Sequence, residues 1–508
     1  MKKQLLKLIM AVMAAVMLAG CGSGSVDNNI TQDTSQQSTQ NNNYNNTTTP
    51  VDIPLNYWGR PLYEVGSDGE LRPTTAGFRE IPKDLRGREV TLLLGHLPNS
   101  QAWSNFNYWE EIDRTPNETI SIMEKMRQIE ADYNLTFTNE IAERGSGLRS
   151  QLMLAQLAGD TPWDIMVIGT GHLSLDGVFP YGLLMDMNHP TIKNIIDLEG
   201  NPWKVESELT RMVGRQFGVH FPIANSGDML RSMLTFNKDH AQTLGLGNLF
   251  DMVWNKTWTF DNFESILSQI SRNSDGQIIP LLEGWGGNLA VGLIGSNNGR
   301  IAEHTSEGGM RFVAHECDNA LGAMDFLQRI ISAGFLTIEP GDRREGIVRM
   351  ADGEAVFLTG SYENLRIFTR QEFPTEFSFG LLPFPMGAAA NDFVSTTPHA
   401  EFYSILANIE RPEEIAAVIV AMANRLTKLN IVETELNYGL QDMESARVLE
   451  YMLDRVVLDF SSITGVRHNV GSALNGIISL QQTPRQAFEM IAPIVQINYD
   501  NMHFRESQ

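Results

Sequence analysis

The order of apolar segments between residues 90 and 168 constrains the fold of this chain more than any other feature of its sequence. Compact apolar runs, bounded by glycines or polar loops, alternate there with stretches in which apolar residues recur at helical spacing. The predicted strands lie at 90–94, 135–138 and 163–168, and the predicted helices at 116–133 and 148–157. Strands that alternate with helices in this way predict an α/β fold built on a mainly parallel sheet.

Residues 1–20 form a targeting segment rather than part of the fold. Three lysines, Lys2, Lys3 and Lys7, precede an apolar run that is too short for a comfortable membrane span, and the run ends in LAGC at 18–21. This ending resembles a bacterial lipobox, which implies cleavage before Cys21 and lipidation of its sulfur, palmitate included. An ordinary secretory signal peptide is the alternative.

The segment after the signal peptide is predicted to be a tether that holds a folded body away from the membrane. Ser, Asn, Gln and Thr dominate residues 21–55, and too few apolar side chains are present to offset the entropy of ordering them. The remainder, about 450 residues, is long enough for two or three domains. Removal of the three signal-peptide lysines changes the formal net charge from −23 to −26, which argues against nucleic acid and anionic lipid as partners.

No cofactor or metal site is expected from the sequence motifs. The chain contains no phosphate-binding G-x-x-x-x-G-K-[ST] loop, no H-E-x-x-H zinc motif and no nucleophile elbow. The NSDG sequence at 273–276 superficially resembles a calcium loop, but Ser271 and Leu282 would occupy its first and last positions, so we expect a turn. With Cys21 lipidated, Cys317 cannot form a disulfide, and we expect it to be structural rather than a nucleophile.

Short segments between residues 152 and 414 carry a family resemblance. They are LMLAQLAGDTPWDIMVIG at 152–169, GLLMDM at 182–187, SMLTFNKD at 232–239, WTFDNF at 258–263, RMADGEAVFLTGSYEN at 349–364, FSFGLLPFP at 377–385 and RPEE at 411–414. In this order they resemble the family 1 extracellular solute-binding proteins of ABC importers, the sugar-binding group related to maltodextrin-binding protein. The resemblance covers roughly residues 90–426, and it depends on the order of the segments because no single one is diagnostic.

The resemblance implies a two-lobed fold of the periplasmic-binding-protein type, in which each lobe is a mainly parallel sheet flanked by helices and a hinge joins the lobes. The first lobe is assigned to residues 56–222 and about 403–450, and the second to 223–402 and about 451–508. The chain is expected to cross between the lobes near 222–226 and 398–403. Residues 443–508 are predicted to be helical for long parts, and the protein is expected to be a monomer.

The ligand-binding residues implied by the resemblance lie in loops after predicted strands and at the crossings. Glu283 and Trp285 match an acid and an aromatic of maltodextrin-binding relatives in type and spacing. A flat ring suits the C–H faces of a sugar, and a carboxylate accepts hydrogen bonds from hydroxyls. The other candidates are Tyr362 after the strand at 355–358, Thr170 and His172 after the strand at 163–168, Trp103 after the strand at 90–94, and Asn225 and His399 at the crossings.

Several residues of these segments also admit a structural interpretation. Tyr362 could be an incidental neighbour of a buried strand, and His172 could be a solvated loop histidine. Trp258 and Phe263 have the spacing of a hydrophobic staple around an N-cap at Thr259, so we expect Trp258 to pack in the core rather than stack on a sugar. Asp164 at the start of a strand is likewise expected to be structural.

The sequence therefore predicts a protein that is lipid-anchored through Cys21 on the extracellular or periplasmic face of the cell membrane. It would bind a small solute, most simply a mono- or oligosaccharide, by lobe closure and deliver it to ABC permease subunits, without enzyme activity. Two alternatives stay open. One is a sensor of the same fold that signals to a membrane receptor kinase, and the other is an extracellular carbohydrate-active enzyme that uses Glu283 with a second carboxylate.

Overall fold

The computed structural model describes most of the chain beyond residue 83. The described residues are 63–65, 71–73, 84–94, 116–141, 146–159, 161–169, 182–196, 198, 207–212, 214–221, 230–283, 288–338, 343–360, 375–397, 401–426, 440–453, 455–462 and 466–501. The chain divides into two units, Met1–Asp52 and Ile53–Gln508, and every described residue belongs to the second. The predicted signal peptide, the lipidation site Cys21 and the predicted tether lie outside the described residues.

Helices and strands alternate along the described chain. The helices are α1 (Pro116–Tyr133), α2 (Ser146–Ala158), α3 (Lys238–Thr243), α4 (Leu249–Trp254), α5 (Phe260–Asn273), α6 (Asn288–Ser296), α7 (Asp318–Ser332), α8 (Arg343–Ala351), α9 (Pro412–Leu426), α10 (Met443–Leu453), α11 (Arg467–Ile478) and α12 (Pro484–Asp500). The strands are β1 (Tyr63–Val65), β2 (Leu71–Pro73), β3 (Arg88–Leu94), β4 (Leu135–Ile141), β5 (Ile165–Gly169), β6 (Arg211–Met212), β7 (Arg215–Gln216), β8 (Met233–Asn237), β9 (Ile279–Glu283), β10 (Ala302–His304), β11 (Met310–Phe312), β12 (Leu336–Ile338), β13 (Ala355–Gly360), β14 (Phe379–Pro383), β15 (Ser395–Thr397), β16 (Glu401–Ile405) and β17 (Val456–Leu458).

The first sheet has the strand order β16-β5-β3-β4 and confirms the prediction from residues 90–168. β3 lies parallel to both β4 and β5, and β16 is antiparallel to β5. Helix α1 packs into the core beside these strands because Met126, Ile129 and Tyr133 recur at helical spacing and are all buried.

The second sheet has the order β12-β9-β13-β8-β14, in which β12, β9 and β13 are parallel and β8 is antiparallel to both of its neighbours. Every residue of β8 and of β13 is buried, as is typical of strands covered on both faces. The strand predicted at 355–358 was too short, because β13 extends two residues further, to Gly360. Thr359 is paired with Glu283 and Gly360 with Met233, and this pairing on both sides overrides the low strand propensity of glycine.

The two sheets share one topology. Each sheet contains three parallel strands, and the strand that comes first along the chain lies between the other two. Their spatial orders are β4-β3-β5 and β12-β9-β13. Each sheet also contains one antiparallel strand that the chain enters after leaving the other sheet. The chain passes from β5 of the first sheet to β8, which pairs with β13, and from β14 of the second sheet to β16, which pairs with β5. The predicted fold class, α/β with two sheets joined by crossings, is confirmed.

The segments that lead into the two crossings lie side by side. Val219 and Tyr403 exchange backbone hydrogen bonds of 3.1 and 2.9 Å, and the ring of Phe221 stacks on that of Tyr403 with 3.9 Å between centroids. Gly218 permits this close approach, because a Cβ there would lie 2.8 Å from Ser404 Oγ. These paired segments adjoin both predicted crossings. Residues 222–226 of the first and 398–400 of the second lie outside the described part of the chain, whereas residues 401–403, predicted as part of the second crossing, belong to β16.

Asp164 ties the amino end of β5 to its neighbours. Its carboxylate accepts hydrogen bonds from Arg88 Nη2 at 2.6 Å and from the backbone N–H of Thr91 at 3.0 Å. The Arg88 guanidinium also lies 3.2 Å from Glu414 of α9, so charged groups that are mostly buried join the sheet to this helix. This geometry agrees with the structural role expected for Asp164.

We expect Asp164→Ala to lower the free energy of unfolding by about 2 kcal/mol, because it strips Arg88 of one carboxylate and leaves a backbone donor unsatisfied. Urea denaturation would measure the change. Asp132→Ala is the matched control, since its ion pair with Arg425 is more than half exposed on the aspartate side, and it should cost under about 1 kcal/mol. Equal losses in the two variants would contradict the structural role of Asp164.

Trp258 lies in the core, as predicted from its spacing. Its side chain is fully buried, its indole N–H donates to the carbonyl of Pro383 at 2.9 Å, and its ring packs edge to face on Phe263 at 5.1 Å. Thr259 is the N-cap of α5, and its hydroxyl accepts from the N–H of Asn262. The residue that precedes the N-cap of α5, Trp258, is therefore buried against the end of β14 and is not accessible to solvent.

From residue 440 onward the chain packs on the second sheet. The side chains of Gln441 and Ser445 accept hydrogen bonds from the backbone N–H groups of Phe379 and Leu381 at 2.8 and 3.0 Å, which covers the edge strand β14. The lobe boundary predicted at about 450 falls inside α10, whose Ser445 bonds to β14 of the second sheet. The lobe boundaries stay predictions.

Candidate functional site

The carboxyl ends of three parallel strands meet at one edge of the second sheet. Ile338 of β12 is in register with Glu283 of β9, and Glu283 is in register with Thr359 of β13. Ligands of open α/β sheets bind beyond such an edge, because the loops that leave the strands converge there. The candidate site at this edge therefore begins with Glu283 and Thr359.

Glu283 is a buried carboxylate that ends its strand. It is 3% exposed, and the hydroxyl of Thr359, itself 1% exposed, donates to Oε2 at 2.5 Å. A buried carboxylate is stable only where donors surround it, and Thr359 supplies one from the neighbouring strand. An acid held in this way can accept hydrogen bonds from a solute at the sheet edge. Its pairing with Thr359 was not expected from the sequence, because the predicted strand ended at 358.

The crossings start and end at the carboxyl edges of both sheets. Gly360 and Pro383 are both in register with Met233, the first residue of β8 after the first crossing. Glu401, the first residue of β16 after the second crossing, is in register with Gly169, the last residue of β5. The loops after β3 and β5, which carry Trp103, Thr170 and His172, thus leave the same edge of the first sheet that the second crossing reaches.

Most of the predicted ligand-binding residues lie outside the described residues. They are Trp285, Tyr362, His172, Thr170, Trp103, Asn225 and His399. Of the eight predicted binding residues, only Glu283 is described. It was predicted to lie in the loop after a strand, and it is instead the last residue of strand β9. The positions of the other seven stay predictions.

Buried hydroxyls that the sequence analysis missed hold the second crossing against the first. Ser232 donates its backbone N–H to Ser395 Oγ at 3.2 Å, and its own Oγ accepts from the N–H of Thr396 at 3.1 Å. Ser232, Ser395 and Thr396 are all buried. They fix the start of β8 beside β15, so the residues that follow one crossing and precede the other share one rigid support. Hydroxyl residues in apolar stretches offered no signal of this pairing.

Asp459 is a second buried acid near the same support. Its backbone N–H donates to the carbonyl of Thr397 at 3.0 Å, and its carboxylate accepts from the N–H and the hydroxyl of Ser461. Burial raises the pKa of this carboxyl from its usual 3.8 to about 6, although the hydrogen bonds from Ser461 oppose the rise. The raised pKa thus belongs to a carboxyl that lies next to the strand leading into the second crossing.

Two features were sought in the described part of the chain and not found there. No helix of that part is both long and apolar enough to cross a membrane. No group of three or more His, Cys, Asp or Glu side chains within it is arranged to hold a metal ion. Cys317, the cysteine of this part, is half-buried at the N-cap position of α7.

Comparison with solved structures identifies the fold. The chain is similar to the galacto-N-biose/lacto-N-biose I-binding protein of the ABC transporter from Bifidobacterium longum, with a TM-score of 0.56 and 14% identity over 82% of this chain and 98% of that one. It is also similar to the cyclic α-maltosyl-1,6-maltose binding protein from Arthrobacter globiformis, with a TM-score of 0.55 and 11% identity over 82% of this chain and 100% of that one. The fold is that of the sugar-binding ABC solute-binding proteins.

A third similar structure is covered by the chain over its whole length. An ABC substrate-binding protein from Listeria monocytogenes, in complex with cycloalternan, matches with a TM-score of 0.52 and 13% identity over 82% of this chain and 100% of that one. No family model matches the sequence, and no curated protein matches it. The predicted resemblance to sugar-binding solute-binding proteins is thus confirmed for the fold, by structures whose sequences are only 11–14% identical to that of this chain.

Proposed function

We propose that this protein captures a small solute, a mono- or oligosaccharide, between its two sheets and delivers it to an ABC importer. The observation that carries the proposal is the arrangement of the crossings, which connect the carboxyl edges of two sheets that share the same order of three parallel strands and one antiparallel strand. A solute bound at both edges bridges the two lobes. Support also comes from the similar structures, which are described as binding proteins for saccharides.

Closure of the lobes supplies the signal that a solute is present. Contacts to both lobes form only in the closed state, so the solute shifts the equilibrium by its difference in affinity for the two states. The paired segments around Val219 and Tyr403 and the support formed by Ser232 and Ser395 would act as the fixed part about which the lobes move. A permease would then distinguish the closed form from the open form. If the protein is instead a sensor, a receptor kinase would make this distinction.

The site residues of this proposal are Glu283 as a hydrogen-bond acceptor and the neighbouring aromatic residues as sugar platforms. Trp285, two residues after Glu283, is the foremost of these, and Tyr362, Trp103, Thr170, His172, Asn225 and His399 complete the proposed set. Cys21 would carry the lipid that keeps the protein on the outer face of the membrane. Loss of palmitate labelling in Cys21→Ser would test the anchor separately from solute binding.

A thermal-shift screen of the full-length protein against mono- and oligosaccharides, amino acids and peptides tests the proposal. A solute present at 100 times its dissociation constant adds about 2.7 kcal/mol to the free energy of unfolding, which raises Tm measurably. We expect a shift with a saccharide and none with the other classes. A shift with a peptide or amino acid alone would overturn the choice of solute, and turnover of a saccharide would favour an enzyme instead.

We expect Trp285→Ala to weaken binding of the saccharide found in that screen by about 1–3 kcal/mol, because a stacked aromatic in a desolvated site is lost. Isothermal titration calorimetry would measure the change. Trp254→Ala is the control, since Trp254 donates its indole N–H to Glu444 of α10 at 2.8 Å and is not among the proposed site residues. Equal affinities of Trp285→Ala and the unaltered protein would remove Trp285 from the site.

A further inference from the structure

Thr359 and Glu283 lie on the same face of the second sheet. They are in register on the parallel strands β13 and β9, and Leu234 of β8 is in register with Thr359 from the other side. Residues in register share a face of a sheet, and successive residues along a strand alternate between its faces. Leu358 and Thr235, which are in register one position away, therefore lie on the opposite face.

The hydroxyl of Thr359 is held in place by its strand and by its own side chain. Strand β13 is paired with β9 on one side and with β8 on the other, and all of its residues are buried. Threonine carries two heavy atoms on Cβ, which restricts rotation about χ1. The hydroxyl is therefore a donor at a set position, and it donates to Glu283 Oε2 at 2.5 Å.

Glu283 gains from a fixed donor because its side chain is long. A glutamate that is free to rotate loses side-chain entropy when it binds a solute. The hydrogen bond from Thr359 orients the carboxylate before the solute arrives, so that less of this cost is met on binding. A carboxylate has about four acceptor sites, and a bond from Thr359 is therefore compatible with bonds from hydroxyls of a solute.

We propose that Thr359 is a positioning residue of the saccharide site. Its hydroxyl holds the Glu283 carboxylate in the orientation that accepts a hydrogen bond from a hydroxyl of the solute. This role rests on the proposed function, in which Glu283 contacts the saccharide. Thr359 acts through Glu283 rather than as a donor to the solute, because the single proton of its hydroxyl is engaged by Oε2.

Isothermal titration calorimetry of the full-length protein and of variants at residue 359 tests this role. The probe is whichever of maltotriose, cellobiose, lactose and chitobiose the unaltered protein binds most tightly. Thr359→Val keeps the size and branching of the side chain but lacks the hydroxyl, so we expect a dissociation constant about tenfold higher. Thr359→Ser restores the donor and should bind within about threefold of the unaltered protein. Thr235→Val is the matched control, a buried threonine on the opposite face, and should leave the affinity unchanged.

Combination with Glu283→Ala separates positioning from a purely structural role. If Thr359 acts through Glu283, Thr359→Val should change the dissociation constant by less than about twofold in the Glu283→Ala background, because no carboxylate is left to position. A structural role predicts the same loss in both backgrounds. Urea denaturation of each variant without saccharide shows that the proteins compared are folded.

Three results would overturn the positioning role of Thr359. They are an unchanged affinity in Thr359→Val, a tenfold loss in Thr359→Ser as well, and an equal loss from Thr359→Val with and without Glu283. In each case the unaltered protein still binds the saccharide, so the proposed function stands. If the unaltered protein binds none of the four saccharides and none in the wider thermal-shift screen, the proposed function fails, and the role of Thr359 fails with it.

Discussion

Trp258→Ala is expected to lower the free energy of unfolding by about 3–5 kcal/mol, the loss typical of a large aromatic removed from a packed core. The indole is fully buried, packs on Phe263 and Phe357, and satisfies the carbonyl of Pro383. Its removal leaves a cavity and an unpaired carbonyl beside the edge strand β14. Urea denaturation monitored by far-UV circular dichroism would measure the change.

Trp258→Phe separates the two contributions. Phenylalanine keeps most of the ring packing but cannot donate to Pro383, so we expect a loss of about 1–3 kcal/mol from the unsatisfied carbonyl together with the lost volume. Both variants should retain solute binding at temperatures where they are folded, because Trp258 is core and not a sugar platform. A small change in stability combined with lost binding would contradict that assignment.

Asp459→Asn is expected to stabilise the protein by about 2–3 kcal/mol at neutral pH and to have little effect near pH 4. The pKa of this carboxyl is about 6 in the folded protein, and its ordinary value, which applies to the unfolded chain, is 3.8. Between these values the folded state holds a proton that the unfolded state has lost, so stability is greatest below pH 4 and falls as pH rises toward 6. Asparagine removes this loss because it is uncharged at every pH and still accepts from Ser461.

The measurement is urea denaturation of the unaltered protein and of Asp459→Asn at pH 4 and at neutral pH. The difference in free energy of unfolding between the two proteins at pH 4 is then compared with that at neutral pH. Other titrating groups contribute equally to both proteins and cancel. Asp352→Asn, at an exposed aspartate, should give a difference that does not change with pH in this way. A stabilisation by Asp459→Asn that is equal at both pH values would show that the carboxyl of Asp459 does not titrate near pH 6 in the folded protein.

A further consequence concerns the crossing that Asp459 adjoins. Its backbone is bonded to Thr397, the last described residue before the second crossing, and Thr397 belongs to the strand that Ser232 supports. Deprotonation places a buried charge at the base of the proposed hinge.

The limits of sequence reasoning are clearest at Thr359. Glycine at 360 has low strand propensity, so the strand was predicted to end at 358, and nothing in that stretch indicates that β8 and β9 pair with it from both sides. The same is true of the C-terminal segment, where helices were predicted but their place was not. Their side chains Gln441, Ser445 and Gln496 recognise backbone groups of strand edges, and backbone groups have no sequence signature.

By itself, the sequence determined the parallel β-α-β order around residues 90–168 and the structural role of Trp258, because these follow from periodicity, capping and spacing over short stretches. The two-lobed arrangement was implied only by the resemblance to solute-binding proteins. Only the tertiary structure decided that Glu283 is paired with Thr359, that the crossings connect the two carboxyl edges, and that Asp459 is buried beside one of them. Each of these depends on residues that are distant along the chain. Burial and strand register are properties of the whole packed molecule, and no local pattern encodes them.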